Sequence, residues 1–301
     1  MLTDLESGSS DAAYACAVTL YRLRESVELI APTVVVAFDG WVDAGGAATA
    51  VAELLATDEG HLLATFDSDA LFDYRARRPT LEILDGRPAE LTWPAVTLHR
   101  ARLEDHDTLI LSGHEPDFRW QELAGDLVEL AHRFGVAEWI SMGAIPAAVP
   151  HTRPVTLMGT ESTHGLLRGE VRPGPTGLLR VPSAAISAID IAVAQTGIPT
   201  LGYFAQVPHY VSGPYPAASL ALLQALSRHL GTEPAAVALR REARQLRARL
   251  DAATAADDDT KAYVEKLEAM VDESRLPSGD DLISDIERFL RDRGTEGSQR
   301  A

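Results

Sequence analysis

The sequence predicts an α/β fold around a mostly parallel, mixed sheet, followed by a small all-helical part. Three observations carry this. Val34-Val35-Val36-Ala37-Phe38 is an uninterrupted apolar run rich in β-branched residues, as expected of a strand buried on both faces. It breaks at Asp39-Gly40 into a Gly- and Asp-punctuated turn and resumes as an Ala-rich amphipathic helix through Val51, Leu54 and Leu55, the first half of a βαβ unit. From Thr232 onward strands vanish and only helical periodicities remain. The expected boundaries are an α/β domain over 14–231, a helical domain over 232–293, and flexible tails at 1–13 and 294–301.

Composition narrows the function classes. The 301 residues are 46% hydrophobic and 24% charged, ordinary for a folded globular chain. A net charge of −17 repels phosphate backbones and anionic lipid, so neither nucleic acid nor a membrane is an expected partner. The single cysteine, Cys16, permits no internal disulfide and no Cys-based zinc site. No apolar run nears the ~20 residues that span a bilayer, and Met1-Leu2-Thr3-Asp4-Leu5-Glu6 lacks signal-peptide chemistry. A soluble cytoplasmic protein is expected.

Along the chain, Tyr14 to Leu29 offers both helical and strand spacings, and Pro32 opens the central strand. A turn at Thr57-Asp58-Glu59-Gly60 precedes a strand over Leu62–Phe66. Asp67, Asp69 and Asp73 hint at a calcium loop, but the central glycine and closing Glu are missing; the other reading is a cap on a short helix Ala70–Tyr74. Thr80–Leu84 and Ala95–Ala101 read as strands of an antiparallel edge, around the turns Asp85-Gly86-Arg87-Pro88 and Thr92-Trp93-Pro94. Thr108–Ser112 is a buried strand, Phe118–Phe134 an amphipathic helix closed by Gly135, and Ala137–Met142 the next strand: a βαβ crossover. Residues 144–180 are irregular, with short strands expected at Val155–Met158 and Leu178–Val181; such a region usually lines a site or an interface. Ser183–Thr196 reads as a helix capped by Ser183, Pro199–Phe204 as a strand, and Ala217–Leu230 as a helix stopped by Gly231. The last three helices are expected at Pro234–Ala252, with Thr232 as cap, Thr260–Ser274 and Asp280–Asp292. Leu239, Leu246 and Leu250 form the apolar stripe of the first, among Arg240, Arg241, Arg244, Arg247 and Arg249.

The candidate site residues lie in loops after the buried strands. Asp39 and Asp43 flank Trp41 and suit acid–base or metal chemistry; the alternative is that Asp39 holds the turn and Asp43 caps the following helix. Gly45-Gly46 near a helix start is a possible phosphate seat, but it matches neither the dinucleotide nor the Walker pattern, and no cofactor is expected. His114-Glu115-Pro116-Asp117 is the best constellation for proton transfer, or else a loop that starts a helix. His151 and Arg153, Glu161 and His164 lie in the irregular stretch, where they would form a polar pocket if they met His114 in space. His209 and Tyr210 suit a ligand or a subunit contact. No complete metal-ligand set and no G-x-S-x-G elbow is present.

Three pieces of text together resemble a known family. They are Phe38-Asp39-Gly40-Trp41-Val42-Asp43-Ala44-Gly45; Gly143 with His151-Thr152-Arg153-Pro154; and Gly197-Ile198-Pro199-Thr200 running to Pro208-His209-Tyr210 and Pro214-Tyr215-Pro216-Ala217-Ala218. Residues 33–230 resemble the proteasome assembly chaperones of the second kind and their archaeal and actinobacterial relatives. The helical end resembles the extra C-terminal part of actinobacterial members, and the preference for Arg over Lys suits that source. The resemblance implies a three-layer α/β/α sandwich similar to the nucleoside phosphorylase fold, no established catalytic centre, and homo- or hetero-oligomers, here a dimer or trimer. It also implies proteasome-related partners, which some members reach through a C-terminal hydrophobic-Tyr-any tail. This sequence ends Gly297-Ser298-Gln299-Arg300-Ala301, a departure from that pattern. Two functions follow as expectations. The first is a non-enzymatic binding or assembly protein. The alternative is an enzyme of nucleoside phosphorylase or hydrolase type using His114, Glu115, His151, Arg153 and Asp39.

Overall fold

The computed structural model describes residues 19–25, 27–57, 61–169, 171–174, 177–233 and 236–275. Cys16, the turn at 58–60, the helix expected over 280–292 and both expected tails lie outside them. Among the described residues the chain forms strands β1 (Tyr21–Leu23), β2 (Thr33–Phe38), β3 (His61–Phe66), β4 (Thr80–Leu84), β5 (Arg87–Thr92), β6 (Val96–Leu103), β7 (His106–Gly113), β8 (Glu138–Ala147), β9 (Leu157–Glu161), β10 (Arg172–Pro173) and β11 (Thr200–Pro208). The helices are α1 (Ala47–Thr57), α2 (Ser68–Leu71), α3 (Trp120–Phe134), α4 (Ala185–Gln195), α5 (Pro216–Leu230), α6 (Val237–Ala255) and α7 (Asp258–Arg275).

Nine strands make one mixed sheet in the order β1-β3-β6-β7-β2-β8-β11-β9-β10. Its centre, β7-β2-β8-β11, is parallel, whereas β1, β3 and β6 on one flank and β9 against β11 on the other pair antiparallel. β2 lies in the middle, and all six of its residues are buried. Alternation explains this. Val35 and Ala37 point into a core shared with α1 and α5, and Val34, Val36 and Phe38 into a core shared with α3 and α4. Each buried Val stabilises by about 1.5–3 kcal/mol relative to an exposed one, so an unbroken apolar run is what a strand between two helical layers requires. The three-layer α/β/α sandwich follows.

The helices meet the sheet as their patterns demand. α1 buries Ala47, Ala48, Val51, Ala52 and Leu55, and α3 buries Leu123, Leu127, Leu130, Ala131 and Phe134. The crossover β7-α3-β8 places its two strands on either side of β2. α6 lays Leu239, Leu246 and Leu250 against the α1/α5 core, and α7 buries Val264 and Leu267.

Several boundaries differ from expectation, each for a local reason. The short helix α2 starts earlier than the expected Ala70, because Asp67 accepts hydrogen bonds from the amides of Asp69 and Ala70. α3 starts at Trp120, since the amides of Asp117 and Phe118 are both taken by the Leu71 carbonyl. Arg87–Thr92, read as turn residues at either end, is a strand that pairs with β4 in a separate two-stranded ribbon. Leu178–Val181 forms no strand; Leu178, Leu179 and Val181 are exposed and irregular. Ser183 does not cap α4, whose cap residue is Ala184, without a side-chain bond. Thr232 does not cap α6, which begins at Val237 after Ala236; Thr232 is instead buried at the end of α5, its amide bonded to the Ser227 carbonyl.

Candidate functional site

Because β7, β2, β8 and β11 run in the same direction, the loops that follow them share one rim of the sheet. Asp39, the first residue after β2, sits there in a tight polar knot. Its Oδ2 lies 2.5 Å from His114 Nδ1 and 2.6 Å from Arg77 Nη1, and its Oδ1 accepts the Glu115 amide at 3.0 Å. Arg77 Nη1 is also 2.9 Å from His114 Nδ1. A guanidinium can only donate, so the arrangement in which both His114 Nδ1–H and Arg77 donate to the carboxylate satisfies all three groups. Burial works to raise the Asp39 pKa. The bonds from His114 and the Glu115 amide, with the charges of His114 and Arg77, outweigh it and hold the carboxyl below its ordinary value. Glu115 holds backbone with both oxygens: Oε2 accepts the Trp41 amide at 3.2 Å and Oε1 the Ala185 amide at 2.8 Å. The second bond supplies the cap that Ser183 does not, fastening the start of α4 to the rim. Trp41, held by this backbone contact, is 66% exposed.

Asp43 and the glycines beside it have a structural part. Asp43 Oδ1 accepts the Ala48 amide at 2.7 Å, and Oδ2 accepts the amide and hydroxyl of Thr49, which caps α1. Burial, against those hydrogen bonds, pushes its carboxyl up. Gly45, at φ 68°, gives its carbonyl to the Tyr215 amide at 2.9 Å, and a Cβ there would stand 2.7 Å from Tyr215 Cβ. Gly46 is also left-handed, at φ 58°. The phosphate seat considered for Gly45-Gly46 is thus filled at Gly45 by the start of α5.

His151, Arg153, His209 and Tyr210 gather in a second cluster, against α6 and α7. The Tyr210 hydroxyl lies 2.7 Å from both the amide and Nδ1 of His151, and His151 Nε2 faces Asp251 at 3.3 Å. Because the Tyr210 hydroxyl accepts from the His151 amide and donates to Nδ1, the imidazole proton lies on Nε2, which is near Asp251 without a hydrogen bond to it. Burial lowers the His151 pKa although Asp251 pulls it up. Arg247 donates to the His151 carbonyl at 3.0 Å, and Thr152 donates to Glu268. Arg153 forms a two-pronged pair with Asp272, at 3.0 and 2.7 Å, and reaches Glu268 at 3.2 Å. His209 Nε2 meets the Tyr263 hydroxyl at 3.0 Å, and the rings of His209, Tyr210 and Tyr263 pack edge to face. These side chains clamp the two helices to the rim. A groove of about 440 Å³ remains between this loop, α5 and α6, lined by Arg153, Tyr215, Leu220, Leu246 and Leu250 among others. Replacing Arg153 with Ala should therefore loosen α7. Hydrogen exchange in 258–275 is expected to accelerate while amides of β8 and β11 keep their protection; unchanged exchange in α7 would refute the clamp.

The candidates thus divide into two clusters: Asp39, His114 and Glu115 in one, His151 and Arg153 in the other. Asp117 accepts the Asp73 amide at 2.8 Å and ties the loop to α2. Glu161 Oε2 accepts the amides of Gly165, Leu166 and Leu167, and its Oε1 lies 3.1 Å from the exposed His164. The amide bonds, that of Leu167 foremost, hold the Glu161 carboxyl below its ordinary value. Arg77, Asp251, Tyr263, Glu268 and Asp272 were not among the candidates. The only hint for Arg77 was the basic run Arg75-Ala76-Arg77-Arg78 in an acidic chain. Among the described residues no three His, Cys, Asp or Glu side chains come together as a metal-ligand set, and no helix is long and apolar enough to cross a membrane.

The comparisons agree with this fold. A model of the PAC2 family matches residues 37–254. No curated protein matches the sequence. Among solved structures, a protein of unknown function from Corynebacterium glutamicum is 32% identical, with a TM-score of 0.80, over 85% of this chain and 98% of its own. A proteasome-assembly chaperone homologue from Mycobacterium tuberculosis is 31% identical, with a TM-score of 0.70, over 77% and 99%. A PAC2 family protein from Streptomyces avermitilis is 32% identical, with a TM-score of 0.70, over 77% and 99%.

Proposed function

The chain belongs to the PAC2 family, and from that premise we propose that it is a chaperone-like assembly protein that binds other protein chains and copies of itself. The observation that carries this reading is the commitment of Glu115. Its two oxygens each hold a backbone amide, of Trp41 and of Ala185, so Glu115 of the best candidate constellation shapes the rim. What that shaping presents is Trp41, an exposed aromatic of the kind that anchors protein interfaces. The description of the Mycobacterium relative points to proteasome subunits as the partner class. The test is size-exclusion chromatography of the full chain with purified proteasome α-type subunits. A complex is expected, with Trp41→Ala weakening it at least about tenfold while the melting temperature stays unchanged. Separate elution at about 10 μM of each component, a concentration suited to micromolar affinity, would reject this partner class.

One observation favours a second reading. The imidazole of His114 is oriented through Nδ1 by Asp39, and its side chain remains 42% exposed. An aspartate-oriented histidine is a general acid–base device of hydrolytic enzymes. A thermal-shift screen with nucleosides, inorganic phosphate and divalent metals tests it. A shift abolished by His114→Ala supports the enzyme, and a flat screen argues against it.

A further inference from the structure

The β4–β5 ribbon stands apart from the main sheet, and every one of its strand residues is exposed. A lone two-stranded ribbon is marginal in water. This one is further burdened, because Glu82 and Glu90 are direct cross-strand partners and like charges so placed repel. Strand alternation puts Thr80, Glu82 and Leu84 on one face of β4, opposite Thr92, Glu90 and Arg87 of β5, so the two glutamates share this face with Leu84 and Arg87 at its tip; Leu84 is 69% exposed. Among the described residues neither Glu82 nor Glu90 takes part in an ion pair with the rest of the chain.

The same molecule carries the opposite surface. α6 holds five arginines against two acids, in a chain whose net charge is −17. Arg240, Arg241 and Arg244 are exposed and lie at helical spacing on one stripe with Val237, which is 78% exposed. Among the described residues none of the three arginines has an ion-pair partner; Arg247, the one that docks α6, points elsewhere. The ribbon leaves the sheet at the rim end of β6, whose first residue Val96 pairs with Gly113, whereas the chain entering α6 meets the far end of β6, where the Glu233 amide donates to Glu104 at 2.9 Å. The two surfaces therefore lie toward opposite ends of β6.

We infer that the Glu82/Glu90 face of the β4–β5 ribbon of one chain docks on the Arg240/Arg241/Arg244 face of α6 in a second copy. Arginine forks neutralise the Glu82/Glu90 pair, and Leu84 meets Val237. Such a contact joins two different surfaces, so it closes either as two reciprocal contacts in a dimer or head to tail in a small ring. The inference rests on the reading of the chain as one that assembles with itself, and it assigns the surface.

Sedimentation velocity on the full chain tests it, using the wild type, E82R/E90R, R241E/R244E and the four changes combined. Circular dichroism melts check that each variant stays folded, as exposed charge changes should. The wild type is expected to be an oligomer that weakens with added salt. Each charge reversal alone should raise the dissociation constant at least about tenfold, and the combined variant should recover most of the loss. A monomeric wild type at tens of micromolar, a concentration where micromolar contacts form, would overturn both the self-assembly and this contact. An oligomer that ignores the single reversals, or that the combination fails to restore, would overturn this contact alone and redirect the arginine face to an acidic partner of another kind.

Discussion

Replacing Gly113 with Ala should destabilise the protein by about 3–5 kcal/mol, an overpacking conflict added to a side chain forced to a positive φ. Gly113 ends β7 at φ 141°, a conformation that side chains rarely adopt. A Cβ there would lie 2.0 Å from the Ala95 carbonyl oxygen and 3.0 Å from Val96 Cα, both of them backbone. Neither side can step aside. The Ala95 carbonyl is held by the His114 amide at 3.0 Å, and the Gly113 carbonyl by the Asp39 amide at 3.0 Å. Relief would require β6 and β7 to separate where Val96 faces Gly113, or the Asp39–His114 pair to open. For a chain of this size the melting temperature should fall by roughly 10 °C, and the His114 ring resonances should shift towards those of a free imidazole. A variant within about 1 kcal/mol of wild type would mean that the β6–β7 register at the rim is wrong.

The same residues show what a sequence can and cannot announce. β2 was legible because burial on both faces leaves no room for a polar residue between Thr33 and Asp39. α3 was legible at its end because Gly135 adopts the left-handed cap expected of it. β5 was not, because a strand exposed on both faces has no hydrophobic alternation to betray it. Leu178–Val181 misled in the opposite way: its apolar pattern is real, but nothing in the described chain pairs with its backbone. β8 and β11 run on to Ala147 and Pro208, past their apolar segments, because the parallel ladder continues through Ile145↔Gln206 and Val207↔Pro146 whatever the side chains are.

The site was legible as a rim and illegible as partnerships. That Asp39, His114, His151 and His209 follow buried strands could be read directly. Which of them touch could not, since Asp39 and His114 are 75 positions apart and Arg153 and Asp272 are 119 apart. A loop residue carries no periodic trace of its distant partner. For Asp43 the local alternative, the helix cap, was the one the structure displays, because its partners Ala48 and Thr49 are only five and six residues away.

Asp190 gives the second large effect, one set by pH. It lies in α4 against β8, where its Oδ1 accepts the Ser141 hydroxyl at 2.5 Å and the Trp139 indole N–H at 3.1 Å. Among the described residues no cation joins them in holding its pKa down. Burial therefore dominates over these two bonds and pushes the carboxyl up to about 7. The sign follows from proton counting. Below about pH 4 the carboxyl is protonated whether the chain is folded or not. Between there and pH 7 the unfolded chain gives up its proton and the folded one keeps it, so stability falls as pH rises and levels off above the folded pKa. A three-unit difference corresponds to about 4 kcal/mol at most. Asp190 retains partial solvent contact, so about 2 kcal/mol is the expected loss. Asp190→Asn keeps an acceptor for Ser141 and Trp139 but cannot ionise. It should match wild type near pH 4 and exceed it by about 2 kcal/mol at pH 8 in urea unfolding monitored by tryptophan fluorescence. Equal pH slopes for the two proteins would show that Asp190 ionises freely in the fold and that α4 does not seal it against β8.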